Sequence, residues 1–264
     1  MDLGIKGNIA VVSGSTAGIG FAIANTLAAE GAHVIVNGRT QARVDSALEK
    51  IRKQTPKADL RGIAGDLSTA AGVQSFVKEA PEADILINNL GIFEPKPFAE
   101  IPDADWLRFF EVNVMSGVRL SRQYLPGMQR KNWGRIIFIS SESGQQIPAE
   151  MIHYGMTKTA QIAIARGLAE SVAGTGITVN SILVGPTASE GVGTFVEDLA
   201  KQQGISKSEF EKTFFASIRP SSLLKRFETP EEVAAVVAFV ASAQATTING
   251  VAVRADGGVV RSIL

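Results

Sequence analysis

Short runs rich in β-branched residues alternate with longer stretches of helical spacing along this chain. That alternation limits the fold more than any single residue does. Residues 9–12, 34–36, 61–64, 85–87, 135–139, 177–182 and 251–253 read as strands; 18–30, 41–53, 69–78, 103–130, 152–172 and 231–241 read as helices. Thr40 and Ser68 are the expected N-caps of the second and third helices. Strands alternating with helices form βαβ units, joined through right-handed crossovers into a parallel sheet. The strand runs are mostly continuous in their apolar residues, as suits a sheet covered on both faces. The expected fold is therefore α/β: a three-layer, doubly wound parallel sheet with helices on both faces. No linker, repeat or low-complexity tract divides the 264 residues, so one domain over 1–264 is expected. Its irregular part is 185–226, with Gly185, Gly191, Gly193, Gly204, Phe195, Phe210, Phe214 and Phe215. This insertion is either a substrate lid or a set of helix faces packed on the core.

Composition removes several classes of function. Lys plus Arg number 26 and Asp plus Glu number 26, with no basic run, so neither nucleic acid nor an anionic membrane is an expected partner. There is no cysteine, which excludes disulfides, thiolate metal sites and cysteine nucleophiles. His33 and His153 are the only histidines, too few for a histidine-based metal site, and no metal is expected. Residues 1–6 do not look like a secretory leader, and the longest apolar run, 233–241, is far shorter than the about 20 residues of a membrane helix. A cytoplasmic protein acting on a small molecule is the expectation.

Ser13-Gly14-Ser15-Thr16-Ala17-Gly18-Ile19-Gly20 lies between the first strand and the first helix. Glycines let the backbone turn tightly and approach a phosphate, and the helix N-terminus offers unpaired N–H groups to a pyrophosphate. Gly14, Ser15, Thr16, Gly18, Ile19 and Gly20 are therefore candidate cofactor contacts in a Rossmann-type dinucleotide site. The second strand runs into Asn37-Gly38-Arg39-Thr40. An acid at this tip would bond the 2′-hydroxyl of NAD, whereas an arginine suits the 2′-phosphate of NADP. Arg39 thus favours NADP over NAD.

Tyr154 and Lys158 sit at i and i+4 on a predicted helix, sharing one face. An ammonium beside a phenol is expected to lower its pKa and make it a usable general acid. Ser140-Ser141-Glu142-Ser143 follows the fifth predicted strand, at the edge where open α/β sheets bind ligands, and a hydroxyl there can hold a substrate oxygen. His153, next to Tyr154, reads as a satisfied structural histidine, with a pocket-lining role as the alternative.

These residues make the chain resemble the short-chain dehydrogenase/reductase family, in its shorter, single-domain branch with 3-oxoacyl-acyl-carrier-protein reductase-like members. The family's Thr-Gly-x-x-x-Gly-x-Gly is met by Ser13, Gly14, Gly18 and Gly20. Its adenine-contacting Asp resembles Asp66, followed by Leu67, and its Asn-Asn-Ala-Gly resembles Asn88-Asn89-Leu90-Gly91. Its helix Asn matches Asn113, and the Ser thirteen positions before the Tyr is Ser141. Its Pro-Gly near the nicotinamide resembles Val184-Gly185, followed by Pro186 and Thr187, and Asp256-Gly257-Gly258 is also similar. Ser13, Leu90 and Val184 depart from the pattern without removing a reacting group.

The resemblance implies a hydride-transferring oxidoreductase, a dimer or tetramer pairing its two long helices. Tyr154 would move the proton, Ser141 hold the substrate oxygen, Lys158 bind the nicotinamide ribose, and Asn113 hold a relay water. Arg39, Asp66, Leu67, Asn89, Gly91, Gly185 and Thr187 would join the glycine loop, Tyr154 and Lys158 in binding NADP. The alternatives are an NAD-linked alcohol or sugar dehydrogenase and a non-catalytic dinucleotide sensor.

Overall fold

The computed structural model describes residues 1–190 and 204–263. Its sheet has seven strands: β1 (Ile9–Val12), β2 (His33–Gly38), β3 (Asp59–Ala64), β4 (Ile85–Asn88), β5 (Gly134–Ser141), β6 (Ile177–Val184) and β7 (Ala252–Ala255). They lie in the order β3-β2-β1-β4-β5-β6-β7, and every pairing is parallel. Successive residues of a strand face opposite layers. Val12, Val36, Ile87 and Ile139 pack with α1 (Gly18–Ala29), α2 (Gln41–Gln54) and α8 (Pro230–Val240). Val11, Ile35, Leu86 and Phe138 pack with α3 (Ala70–Glu79), α5 (Ser116–Lys131) and α6 (Ile152–Ser171). Every residue of β5 and β6 is buried, so the expected doubly wound, three-layer arrangement holds. The strand order reverses between β1 and β4, and their carboxyl ends open the crevice where such sheets bind ligands.

Local chemistry sets the helix ends. Thr229 caps α8 through a capping box with Glu232, and Pro230 fills the first helical position, where its missing N–H costs nothing. The cap of α3 is Thr69, which accepts from the Gly72 N–H, and not Ser68 as expected. Ser68 is taken by Asp66, whose Oδ1 accepts from both its N–H and its hydroxyl. Thr40 does occupy the N-cap position of α2, without a side-chain hydrogen bond.

The helix expected over 103–130 is interrupted. It runs as α4 (Asp103–Phe110), a π turn (Glu111–Met115) and then α5. One wide turn in a helix re-aims the side chains it carries and is frequent at functional sites. Here it buries Asn113. The irregular region holds a short helix, α7 (Lys207–Thr213), and a second π turn (Phe214–Ile218). Gly191, Gly193 and Phe195 lie outside the described residues. Among the described residues, no helix is long and apolar enough to cross a membrane.

Candidate active site

The glycine loop is braced from behind. Ser13 Oγ donates to the Ile87 carbonyl and accepts from the Asn89 and Leu90 N–H groups. Asn89 Nδ2 donates to the carbonyls of Ser13 and Gly14, 3.0 Å each. Asn37, at the end of β2, accepts from the Gly14 N–H and donates to the Ile63 and Gly65 carbonyls. A Cβ on Gly20 would lie 2.4 Å from both Gly14 O and Asn89 Nδ2, so only glycine permits this approach. Gly18 holds φ at +57°, a conformation glycine adopts without strain.

Ser15 belongs to the brace and not to the cleft wall. Its hydroxyl donates to Val12 O at 2.7 Å, its N–H donates to Asn37 O, and it is fully buried. Thr16, in contrast, lines the cleft.

In front of the loop is a cleft of about 170 Å³, lined by Gly14, Thr16, Gly38, Arg39, Arg43, Gly65, Leu67 and Leu90 among others. Arg43 was not foreseen, although it follows Arg39 by one helical turn. Asp66 is exposed at the rim, with one carboxylate oxygen held by Ser68. α1 begins on Ala17, which supplies no side-chain cap, so its first N–H groups remain open to an anion. A glycine cradle, an uncapped helix start and two guanidinium groups fit a dinucleotide with an extra phosphate.

A larger cavity, of about 490 Å³, is lined by Ile19, Asn89 and Gly91 and by Gly185 and Thr187, among others. Ser141, the last residue of β5, Tyr154 and Lys158 share its wall. Lys158 Nζ donates to Ile139 O at 2.8 Å and to Gln161 Oε1 at 3.3 Å, and lies 5.6 Å from the centre of the Tyr154 ring. Burial pulls its pKa down to about 8. The Tyr154 phenol is pushed up to about 12, first by burial; Ser141 hydrogen bonding and Arg219 act against this, while Glu142 adds to it. The phenol is therefore not lowered as expected, because desolvation dominates and the ammonium is turned toward Ile139.

Asn113 lies behind this wall. Its amide is closed on the Ile92 backbone, accepting from N at 2.8 Å and donating to O at 3.0 Å, and it also donates to Thr157 Oγ1. Its carbonyl accepts from Gln161 Nε2 at 2.6 Å. A Cβ on Gly91 would lie 3.5 Å from Lys158 Nζ and 3.6 Å from Asn113 Oδ1, so these three residues converge.

The far wall holds charges to which the sequence alone assigned no role. Arg219 Nε donates to Glu142 Oε1 at 2.8 Å and Nη1 to Glu150 Oε1 at 3.1 Å; all three residues line the cavity. Phe210, Phe214 and the unforeseen Phe227 also line it, while Phe215 is buried against Phe227. His153 does not line it. The imidazole is buried, 4.0 Å from the Phe109 ring centre, and neither nitrogen has a partner, so it is structural but not satisfied. Burial lowers its pKa, against the opposing pull of Asp105 and Glu94. Among the described residues, no cluster of three histidine or carboxylate groups could hold a metal.

A parallel sheet whose switch point carries a phosphate cradle, beside a Ser–Tyr–Lys group, defines a dinucleotide-dependent oxidoreductase. The chain belongs to the short chain dehydrogenase family, whose model matches residues 8–200. It is 48% identical to the uncharacterized oxidoreductase YvaG of Bacillus subtilis over the full length of both chains. It is 31% identical to the 3-oxoacyl-acyl-carrier-protein reductase FabG of Aquifex aeolicus, covering 98% of this chain and 99% of that one. The L-sorbose reductase of Gluconobacter frateurii, solved with NADPH and L-sorbose, superposes with a TM-score of 0.94 at 32% identity and full coverage of both chains.

Proposed function

We propose that the protein is a cytoplasmic, NADP-dependent reductase that moves a hydride between the nicotinamide and a ketone or 3-oxoacyl carbonyl. The observation that carries this reading is the meeting of Ser141, Tyr154 and Lys158 in one cavity, which Ile19 of the glycine loop also lines. Ser141 holds the substrate oxygen and Tyr154 gives it a proton. A phenol with a pKa near 12 is protonated at neutral pH, the form that a reduction requires. The bound nicotinamide supplies the hydride, and the protein supplies position and electrostatics. Gly14, Thr16, Gly18, Ile19 and Gly20 would hold the pyrophosphate, and Lys158 the nicotinamide ribose. Arg39 and Arg43 would take the 2′-phosphate, which supports NADP over NAD.

The segment from Thr187 to Arg226 serves as the substrate lid, supported by the places of Phe210, Phe214 and Arg219 on the cavity wall. A dimer or tetramer pairing the long helices is supported by the exposed Leu107 and Phe110 of α4; sedimentation at several concentrations tests it.

The function itself is tested by NADPH oxidation against oxoacyl thioesters, simple ketones and ketoses, alongside dissociation constants for NADPH and NADH. Turnover of a carbonyl with tighter NADPH binding is expected. NADPH binding with no turnover across the panel would favour a sensor.

A further inference from the structure

Gln161 lies on α6 three residues after Lys158, so the two side chains share a helix face. It is 1% exposed, in a helix whose other buried neighbours include Ala165 and Ala169. A buried amide costs stability unless both of its ends are paired, and an apolar residue would fill such a position at less risk. Both ends are paired here, and with residues of the site. Gln161 Nε2 donates to Asn113 O at 2.6 Å, and Oε1 accepts from Lys158 Nζ at 3.3 Å. The Asn113 carbonyl belongs to the π turn, so the amide joins α6 to the irregular stretch of the α4–α5 helix.

We propose that Gln161 is a positioning residue of this site, whose side-chain amide ties the Lys158 ammonium to the Asn113 main-chain carbonyl. This rests on the reading of Tyr154 and Lys158 as the acid–base pair. The residue to which the family resemblance assigns a relay water thus has its main-chain carbonyl bonded by a side chain of this protein.

The link has an electrostatic consequence. Two fixed acceptors, Ile139 O and Gln161 Oε1, favour the charged form of Lys158, while burial pulls its pKa down to about 8. The ionisable groups around it are Tyr154 on its own helix and, beyond the phenol, Glu142 at the end of β5 and Arg219. From β5 the Ile139 carbonyl faces it directly, and the π turn reaches it through Gln161. Losing the Gln161 acceptor removes one of the two groups that hold the proton on Nζ, and supplying a carboxylate instead strengthens that hold.

The test is an NMR titration of the Lys158 side-chain carbon in the whole protein, for wild type, Gln161→Leu and Gln161→Glu. The pH profile of kcat/KM and the melting temperature are recorded beside it. Gln161→Leu should lower the Lys158 pKa by about one unit, the weight of one hydrogen bond to a charged group, and move the basic limb of the profile down with it. Gln161→Glu keeps the acceptor, covers the case in which the leucine variant does not fold, and should move both upward. Superimposable Lys158 titrations in all three proteins, with only the melting temperature changed, would overturn the proposal and leave Gln161 a packing residue. The expected shifts in a wild type that binds NADPH but reduces no carbonyl would support the link and overturn the acid–base reading beneath it.

Discussion

The two ends of the cleft are built on different plans. Around the glycine loop, the buried side chains of Ser13, Ser15 and Asn37 are hydrogen-bonded to one another's backbone or to the neighbouring strands. Around Tyr154, more of the buried polar atoms stand without partners: Glu142 Oε2 and both His153 nitrogens, against Asn88 Oδ1 at the end of β4 beside the loop. A dense hydrogen-bond network is rigid, and it suits a ligand whose phosphates never vary. One end is a socket. The other is a chamber whose walls come from β5, α6 and the stretch from Phe210 to Phe227, and whose chemistry sits among buried charges.

That contrast can be broken by substitution. The largest effect belongs to Tyr154→Phe, which removes the proton donor and nothing else from the chamber. Turnover should fall by about 10²–10⁴-fold, a far larger change than that in NADPH affinity, read from initial rates and fluorescence titration. Next is Arg219→Leu. It leaves the buried Glu142 carboxylate without its partner and should cost about 3–5 kcal/mol in urea unfolding. Adding Glu142→Leu should recover much of this, and if the double variant is no better than the single, the pair is not what ties Arg219 to the end of β5.

At the socket end, Arg39→Ala should weaken NADPH binding by about 10-fold or more, as loss of a hydrogen bond to a charged group does. NADH binding should hardly move. Equal weakening of both cofactors would place Arg39 away from the 2′-phosphate.

The smallest effect concerns Glu228, whose N–H donates to the Pro186 carbonyl and whose carbonyl accepts from the Ala188 N–H. Burial, and then the neighbouring Asp256, push its carboxyl up to about 7. The folded protein keeps a proton that the unfolded chain releases above the ordinary carboxylate range. Stability is therefore present at acid pH and is lost as pH rises through about 7. Glu228→Gln should flatten that slope, seen by comparing melting temperatures on either side of the window; an unchanged slope would rule Glu228 out as its source.

Most of the fold was legible in the sequence because its signals are local. β-branched runs such as Ile9–Val12 and Ile85–Asn88 give strand positions directly, and the glycine loop lies within eight consecutive residues. The π turn was not legible, since Glu111–Met115 has ordinary helical spacing and becomes a wide turn where Asn113 bonds Ile92 and Thr157. Arg219 meets Glu142 across 77 positions and Gln161 meets Asn113 across 48, so neither partnership leaves a local trace. Arg43 did leave one, an arginine one turn after Arg39. The direction of the Tyr154 shift was missed because helical spacing places Lys158 beside the phenol without saying that desolvation outweighs the ammonium there.

Deuterium transfer tests the central claim most directly. The protein is incubated with a carbonyl substrate and NADPH deuterated at both C4 positions, and the alcohol is analysed by mass spectrometry. Wild type should place one deuterium on the carbinol carbon, and Tyr154→Phe, at saturating NADPH, should leave the alcohol near background. Labelling by Tyr154→Phe at the wild-type rate, or wild type that binds NADPH and labels no carbonyl, would contradict the account.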